Sequence, residues 1–204
     1  IITEEEKKML ALNVDQDFTL PVLATGTWFL IFELFILNQA FSNPDVFNPQ
    51  ARFNYANKVW ALADRTVSNM LEQTPLFLST LWCHALFIDA EFAGRVGIVA
   101  AIFRLFYPFL RGMRFLLIEF STQGYYTCIR GMQINLVYKI FADKIIWNEI
   151  TARSCAMMFL CQFGYWAAGL IVGLTFKQSI LMVTSEEIKK TADIGKPNKT
   201  KIKD

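Results

Sequence analysis

Ser154 to Phe176 is a run of 23 residues without a charge, and nothing else in the chain limits the fold as much. A helix of about 20 apolar residues crosses the roughly 30 Å hydrocarbon core of a bilayer. Composition points the same way. Of 204 residues, 54% are hydrophobic and 19% charged, whereas a soluble domain has about 45–50% and about 25%. The apolar excess sits in blocks, so the chain reads as an all-α integral membrane protein, a multi-pass helical bundle.

Other spans follow from the same argument. Leu20 to Ala40 is a 21-residue apolar run with one charge, Glu33. A further span runs from Val96 to about Leu117, with Arg104 near its middle and Pro108 as a kink. Residues 125–146 form a more polar helix in which Lys139 and Asp143 stand four apart, the spacing of an intrahelical ion pair. Between these two, Ser121 to Gly124 breaks the helical pattern. Asp89 to Arg95 is expected to be a tight polar hairpin, and the two Asn-Pro pairs within 41–56 mark a polar connection. The expected domains are a polar segment at 1–17, a four-helix membrane domain at 18–150, an additional transmembrane helix at 151–180 and a mobile basic tail at 181–204. Positive charge slightly favours the tail's side as cytoplasmic or its organellar equivalent. The first residue is Ile1, not Met, so an upstream segment with any targeting signal is expected.

The second span is the informative one. Pro75 to Ile88 is apolar but only 14 residues long, too short to cross alone. The crossing must recruit the preceding turns, which carry Arg65, Asn69 and Glu72. Helical spacing puts these three on one stripe, with Leu62, Val67, Met70 and Leu71 opposite. An arginine and an amide can bind carboxylates, and a glutamate can hold an amino group, so the stripe suits a small zwitterionic ligand at the membrane surface. The plain structural alternative is a clamp in which Glu72 neutralises Arg104 or Arg65.

Arg65-x3-Asn69-x2-Glu72-x2-Pro75 and the Leu/Phe-rich run after it resemble the signature helix of the MAPEG family (membrane-associated proteins in eicosanoid and glutathione metabolism, including the microsomal glutathione transferases). Arg104 and Tyr107 resemble that family's third-helix motif, and the likeness covers about residues 58–110. Ser121 to Tyr125 resembles the opening of the fourth helix in distant members, without its proline. The resemblance implies trimers of four-helix subunits that attach glutathione to lipophilic substrates or reduce hydroperoxides. It implies glutathione as co-substrate, held by Arg65, Asn69 and Glu72, with Arg104 and Tyr107 on the neighbouring wall. Thiolate stabilisation has only Arg111, Arg114 and Arg130 as candidates. Gln73 and Arg111 stand where many members have tyrosines, and the span at 154–176 exceeds the four-helix plan. The expected partners are membrane lipids, a lipophilic small molecule and either two further copies in a homotrimer or a larger membrane complex. The expected setting is the endoplasmic reticulum or an organellar membrane. Those departures motivate the alternative of a catalytically degenerate accessory subunit within such a complex.

The remaining signals are weaker. A net charge of +2 gives no reason to expect nucleic acid. Cys83, Cys128, Cys155 and Cys161 lack metal-site spacing and read as small buried hydrophobes. His84, the only histidine, reads as a hydrogen-bonded core residue rather than a cofactor ligand. Tyr125, Tyr126, Tyr138 and Trp147 read as interfacial anchors. Gly164, Ala168, Gly169 and Gly173 form a small-residue face suited to helix contact. Asn198-Lys199-Thr200 matches a glycosylation sequon.

Overall fold

A computed structural model describes residues 16–42, 55–111 and 115–194, and every element among them is helical. The helices are α1 (Thr19–Phe41), α2 (Lys58–Phe87), α3 (Ala90–Arg111), α4 (Phe115–Ala142) and α5 (Ala152–Ile194). Three are long and apolar enough to cross a membrane: Thr19–Phe41, Ala90–Leu110 and Ala152–Lys177. α2 and α4 do not reach that standard by themselves, since Asp64, Arg65 and Glu72 load one and Glu119, Arg130 and Lys139 the other.

The first helix shows how apolar residues divide between protein and lipid. Pro21, Ala24, Trp28, Ile31 and Phe35 are buried at alternating steps of three and four, a single seam on a 3.6-residue helix. Val22, Leu23, Leu30, Leu34 and Leu37 point outward. A helix apolar on all sides with only one seam packed is built for a lipid surround.

α2 starts where the Asn57 side chain accepts from the Val59 and Trp60 amides at 3.1 and 3.3 Å, a side-chain N-cap. Its packed face consists of Ala63, Thr66, Met70, Phe77, Thr80, Leu81 and His84. Of the residues placed opposite the polar stripe, Met70 is buried, but Leu62 and Leu71 are exposed. The expected polar hairpin at 89–95 is also corrected, because α3 begins at Ala90. The Asp89 carboxylate accepts from the Phe92 amide at 2.7 Å and caps that start, and Glu91 pairs with Arg95 one turn on. The expected break at Ser121–Gly124 is absent. α4 runs straight through, because the Ser121 hydroxyl donates to the Phe103 carbonyl at 2.6 Å and Gly124 lets the Phe103 ring lie against the helix. Lys139 and Asp143 do pair, at 2.6 Å.

Side-chain contacts fix the helix directions. Trp82 reaches Thr25, Trp28 reaches Thr74, and Gln39 reaches Asp64, so α2 runs antiparallel to α1. Gly94 lies against Leu20 and Gly97 against Ala24, so α3 runs parallel to α1. Gly131 against Met158 and Gln123 against Gln162 make α4 and α5 antiparallel, and Ser121 against Phe103 joins α4 to α3. Trp28 stacks on Phe77 at 4.0 Å and on Tyr125 at 5.7 Å, joining three helices at the centre.

The chain divides into two compact units, Ile1–Gln162 and Phe163–Asp204. The first holds α1 to α4 and the opening turns of α5. In the second, α5 continues unbroken past the expected boundary at 180 to Ile194. Residues 1–15 of the expected polar segment at 1–17 and the sequon at Asn198 lie outside the described residues.

Candidate functional site

Halfway along the bundle the packing turns polar. Arg104 of α3 is only 1% exposed, an unusual place for a guanidinium. Three neighbours make the site tolerable. Its Nη2 donates to the Asn69 amide oxygen on α2, and its plane faces the rings of Tyr107 and Tyr125, 5.0 and 4.6 Å from their centroids. Cation–π contact grows in strength where water is excluded, so two rings offset part of the desolvation. Yet Arg104 Nη1 and the nearby Gln73 Oε1 are buried without hydrogen-bond partners. Unmatched polar atoms at such depth are costly and mark a place where something further is bound or moves.

Arg65 and Glu72 flank Asn69 on α2 and pair with each other at 2.9 Å. Their side chains are 50% and 53% exposed, so the pair lies on the outer face, not in the core. Of the two clamp partners considered for Glu72, Arg65 is therefore the one it meets. The link between helices is Arg104 to Asn69. The stripe thus splits in function, with Asn69 turned inward as a ligand of Arg104 and the Arg65–Glu72 pair turned outward.

The other expected residues are placed as follows. Tyr107 is buried beneath Arg104. Arg130 of α4 donates to Gln133, whose amide nitrogen reaches Thr80 of α2 at 3.2 Å. The side chain of Arg111 and the whole of Arg114 lie outside the described residues. Tyr125 and Trp147 are buried rather than interfacial, a correction. Tyr125 is drawn inward by Arg104, while Trp147 follows its backbone into the core. The expectation of buried cysteines is corrected for two of the four: Cys128 is buried and Cys161 partly so, but Cys83 is exposed and Cys155 is exposed on the wall of an open groove.

Two buried arrangements escaped the sequence reading. One is Tyr125 as the second ring under Arg104. The Ser121-x3-Tyr125 spacing places both on one face of α4, and both are fully buried against α3. The other is a polar knot around His84. Asn135 accepts from the Ile146 and Trp147 amides at 3.1 and 3.3 Å and donates to the Trp147 carbonyl at 2.6 Å. Its amide nitrogen also meets His84 Nε2 at 3.3 Å, while His84 Nδ1 meets the Asp89 carbonyl at 3.2 Å. A carbonyl only accepts, so Nδ1 carries the proton. Nε2 must then accept from Asn135, and the imidazole is neutral. All hydrogen-bonding groups of Asn135 are satisfied, and the α4–α5 connection is tied to α2. His84 is a structural residue, as its sequence setting indicated.

No protein-family model, no curated protein and no solved structure matches this chain.

Proposed function

We propose that the chain is a MAPEG-like membrane transferase or peroxidase that uses glutathione against lipophilic substrates. The observation that carries this reading is the half-exposed Arg65–Glu72 pair beside Asn69 and Arg104. An outward ion pair on a bilayer-facing helix can exchange partners with a zwitterion. A ligand carboxylate takes the guanidinium fork and a ligand ammonium takes Glu72, with no net charge added at depth. Buried Arg104 places fixed positive charge behind the same helix, with one donor unmatched, which favours a thiolate over a thiol.

The topology is consistent with membrane depth for this site. α1 and α3 run parallel, so if both cross, α2 must return through the bilayer between them and take the stripe along. The same reasoning returns α4 between α3 and α5. The open outer face of α2 then leaves a second wall to be supplied by a neighbouring subunit, in keeping with a homotrimer in the endoplasmic reticulum or an organellar membrane.

The test is thermal unfolding of the detergent-purified chain with and without glutathione. Saturating ligand raises the midpoint by several degrees for a site that binds only the folded state. Arg65→Ala removes that rise while lowering the melt of the unliganded chain only slightly. A parent protein whose midpoint is indifferent to glutathione rules the reading out.

One observation favours a second reading, an accessory subunit of a larger membrane assembly. α5 exposes Phe163, Trp166, Leu170, Ile171, Leu174 and Phe176, and Gly164, Gly169 and Gly173 each have open space where a Cβ would stand. That surface suits a close helix partner. Gentle detergent extraction separates the two readings, since a particle much heavier than a trimer supports the second and a clean trimer excludes it.

A further inference from the structure

A groove of about 650 Å³ opens between α3, α4 and the first turns of α5. Its walls are apolar (Val99, Phe103, Phe120, Ile150, Met158 and Phe159), and Phe120 and Phe159 stand exposed at its mouth. Three polar side chains interrupt this surface: Glu119, Gln123 and Thr127, whose hydroxyl donates to the Gln123 carbonyl at 2.7 Å. No lysine or arginine lines the groove among the described residues.

The hydrogen bonds along the wall run in one direction. Glu119 accepts from the Gln123 amide nitrogen at 2.7 Å, so the Gln123 oxygen is free to accept, and it does so from Gln162 at 2.8 Å. The chain ends at Gln162 Oε1, which is buried and has no partner, on a side chain only 4% exposed. At the groove itself this row presents the Glu119 carboxylate, one oxygen of which is left over by Gln123, while Gln162 stands behind the lining. A carboxylate against apolar walls, with no cation among the described lining residues, is a costly placement that an incoming positive charge relieves.

We propose that this groove binds a single-chain amphiphile with an ammonium head, its head on Glu119 and its tail along α4. Two constraints select that class. A fatty acid would set its carboxylate against Glu119, and no cation among the described lining residues balances the two. The groove's volume falls within the range of about 300–1,000 Å³ typical of small-molecule sites. Gly124 adds a sequence reason for the cavity's shape, because a side chain there would displace the Phe103 ring that forms one wall. The inference rests on the groove and Glu119, independently of the Arg65–Glu72 site.

The test is native mass spectrometry of the full chain in detergent, titrated separately with hexadecylamine, hexadecanoic acid and dioleoyl phosphatidylethanolamine. One equivalent of hexadecylamine is retained, and hexadecanoic acid binds about tenfold more weakly or less. Glu119→Gln lowers amine affinity by about tenfold and strengthens acid binding, because the opposing carboxylate is gone. Val99→Trp fills the tail region and removes amine binding while Glu119 stays in place. Circular dichroism melts accompany both variants, so that a folding defect in one leaves the other to decide. Equal binding of amine and acid overturns the proposal, as does full amine affinity in Glu119→Gln. Displacement of the amine by equimolar phosphatidylethanolamine also overturns it, because the site would then belong to a two-chain lipid.

Discussion

The glycines of α3 and those of α5 occur at similar small-residue spacings but meet opposite surroundings. A Cβ on Gly94 would lie 2.5 Å from the Leu20 carbonyl carbon and 2.7 Å from the Pro21 nitrogen, so the obstacle is backbone and cannot swing aside. A Cβ on Gly97 would meet Leu81 Cδ1 at 2.8 Å and the Ala24 Cβ at 3.0 Å. Around Gly164, Gly169 and Gly173 there is nothing within 4 Å. In α3 the missing side chain lets two parallel helices touch, and the benefit is already present in the monomer. In α5 the same residue type holds a surface open. A small-residue motif therefore announces a capacity for contact without saying whether the contact has been made.

The most direct way to break this comparison is an alanine at each kind of site. Gly94→Ala should destabilise the detergent-solubilised chain by about 3 kcal/mol, at the upper end of overpacking effects, because the α1 backbone must move. Gly173→Ala should stay within about 0.5 kcal/mol, as surface substitutions do. Thermal melts followed by circular dichroism measure both. If Gly173→Ala is as harmful as Gly94→Ala in a mild extract but harmless in harsher detergent, a partner occupies α5, and the accessory-subunit reading gains.

A second test stays inside the core but concerns polar groups. Asn135→Ala leaves two amides, a carbonyl and the His84 ring nitrogen without partners. The expected loss is about 2 kcal/mol, a typical penalty for unsatisfied buried groups after partial relaxation. Hydrogen exchange should show the 143–151 connection opening first. An Asn135→Asp variant keeps the two amide acceptances but cannot donate to Trp147 or His84, so it should fall between parent and alanine.

How far the sequence foretold this arrangement depends on the residue. The first and last spans were legible because hydropathy alone decides them, whereas α3 covers Ala90–Arg111 in place of the expected 96–117 and α4 covers Phe115–Ala142 in place of 125–146. The buried seam of α1, from Pro21 to Phe35, follows from helical period once the span is known. The inward turn of Asn69 and the outward pairing of Arg65 with Glu72 were not legible. All three share a stripe, and only the position of α3 decides which of them meets a neighbour. Ser121–Gly124 looked like a breaker because serine, threonine and glycine disfavour isolated helices. Packing against Phe103 overrode that preference. The row from Glu119 through Gln123 to Gln162 spans 43 residues and two helices, a distance at which no spacing rule operates.

The outward Arg65–Glu72 pair sharpens the contrast between packed and open surfaces at lower energy. Arg65→Ala should cost under about 1 kcal/mol, the range of exposed ion pairs. Arg104→Ala, which deletes a buried side chain bridging α2 and α3, should cost more. A cost for Arg65→Ala that rivals the Gly94→Ala effect would mean that the pair is buried against another subunit.

The smallest effect is expected where exposure is complete. Asp17 sits just ahead of α1 and accepts from the Thr19 hydroxyl at 2.6 Å and the Thr19 amide at 2.9 Å. These two hydrogen bonds hold its carboxyl below the ordinary aspartate value. A depressed folded pKa means that the unfolded chain binds the proton more readily. The contribution is therefore present above the unfolded value and lost as pH falls through the folded one, in a window below about pH 4. Asp17→Asn should flatten that part of the acid limb and leave the melt at neutral pH nearly unchanged. An acid limb identical in parent and variant would show that the α1 start frays before the carboxyl titrates, so that this turn belongs with the open surfaces rather than with the bundle it precedes.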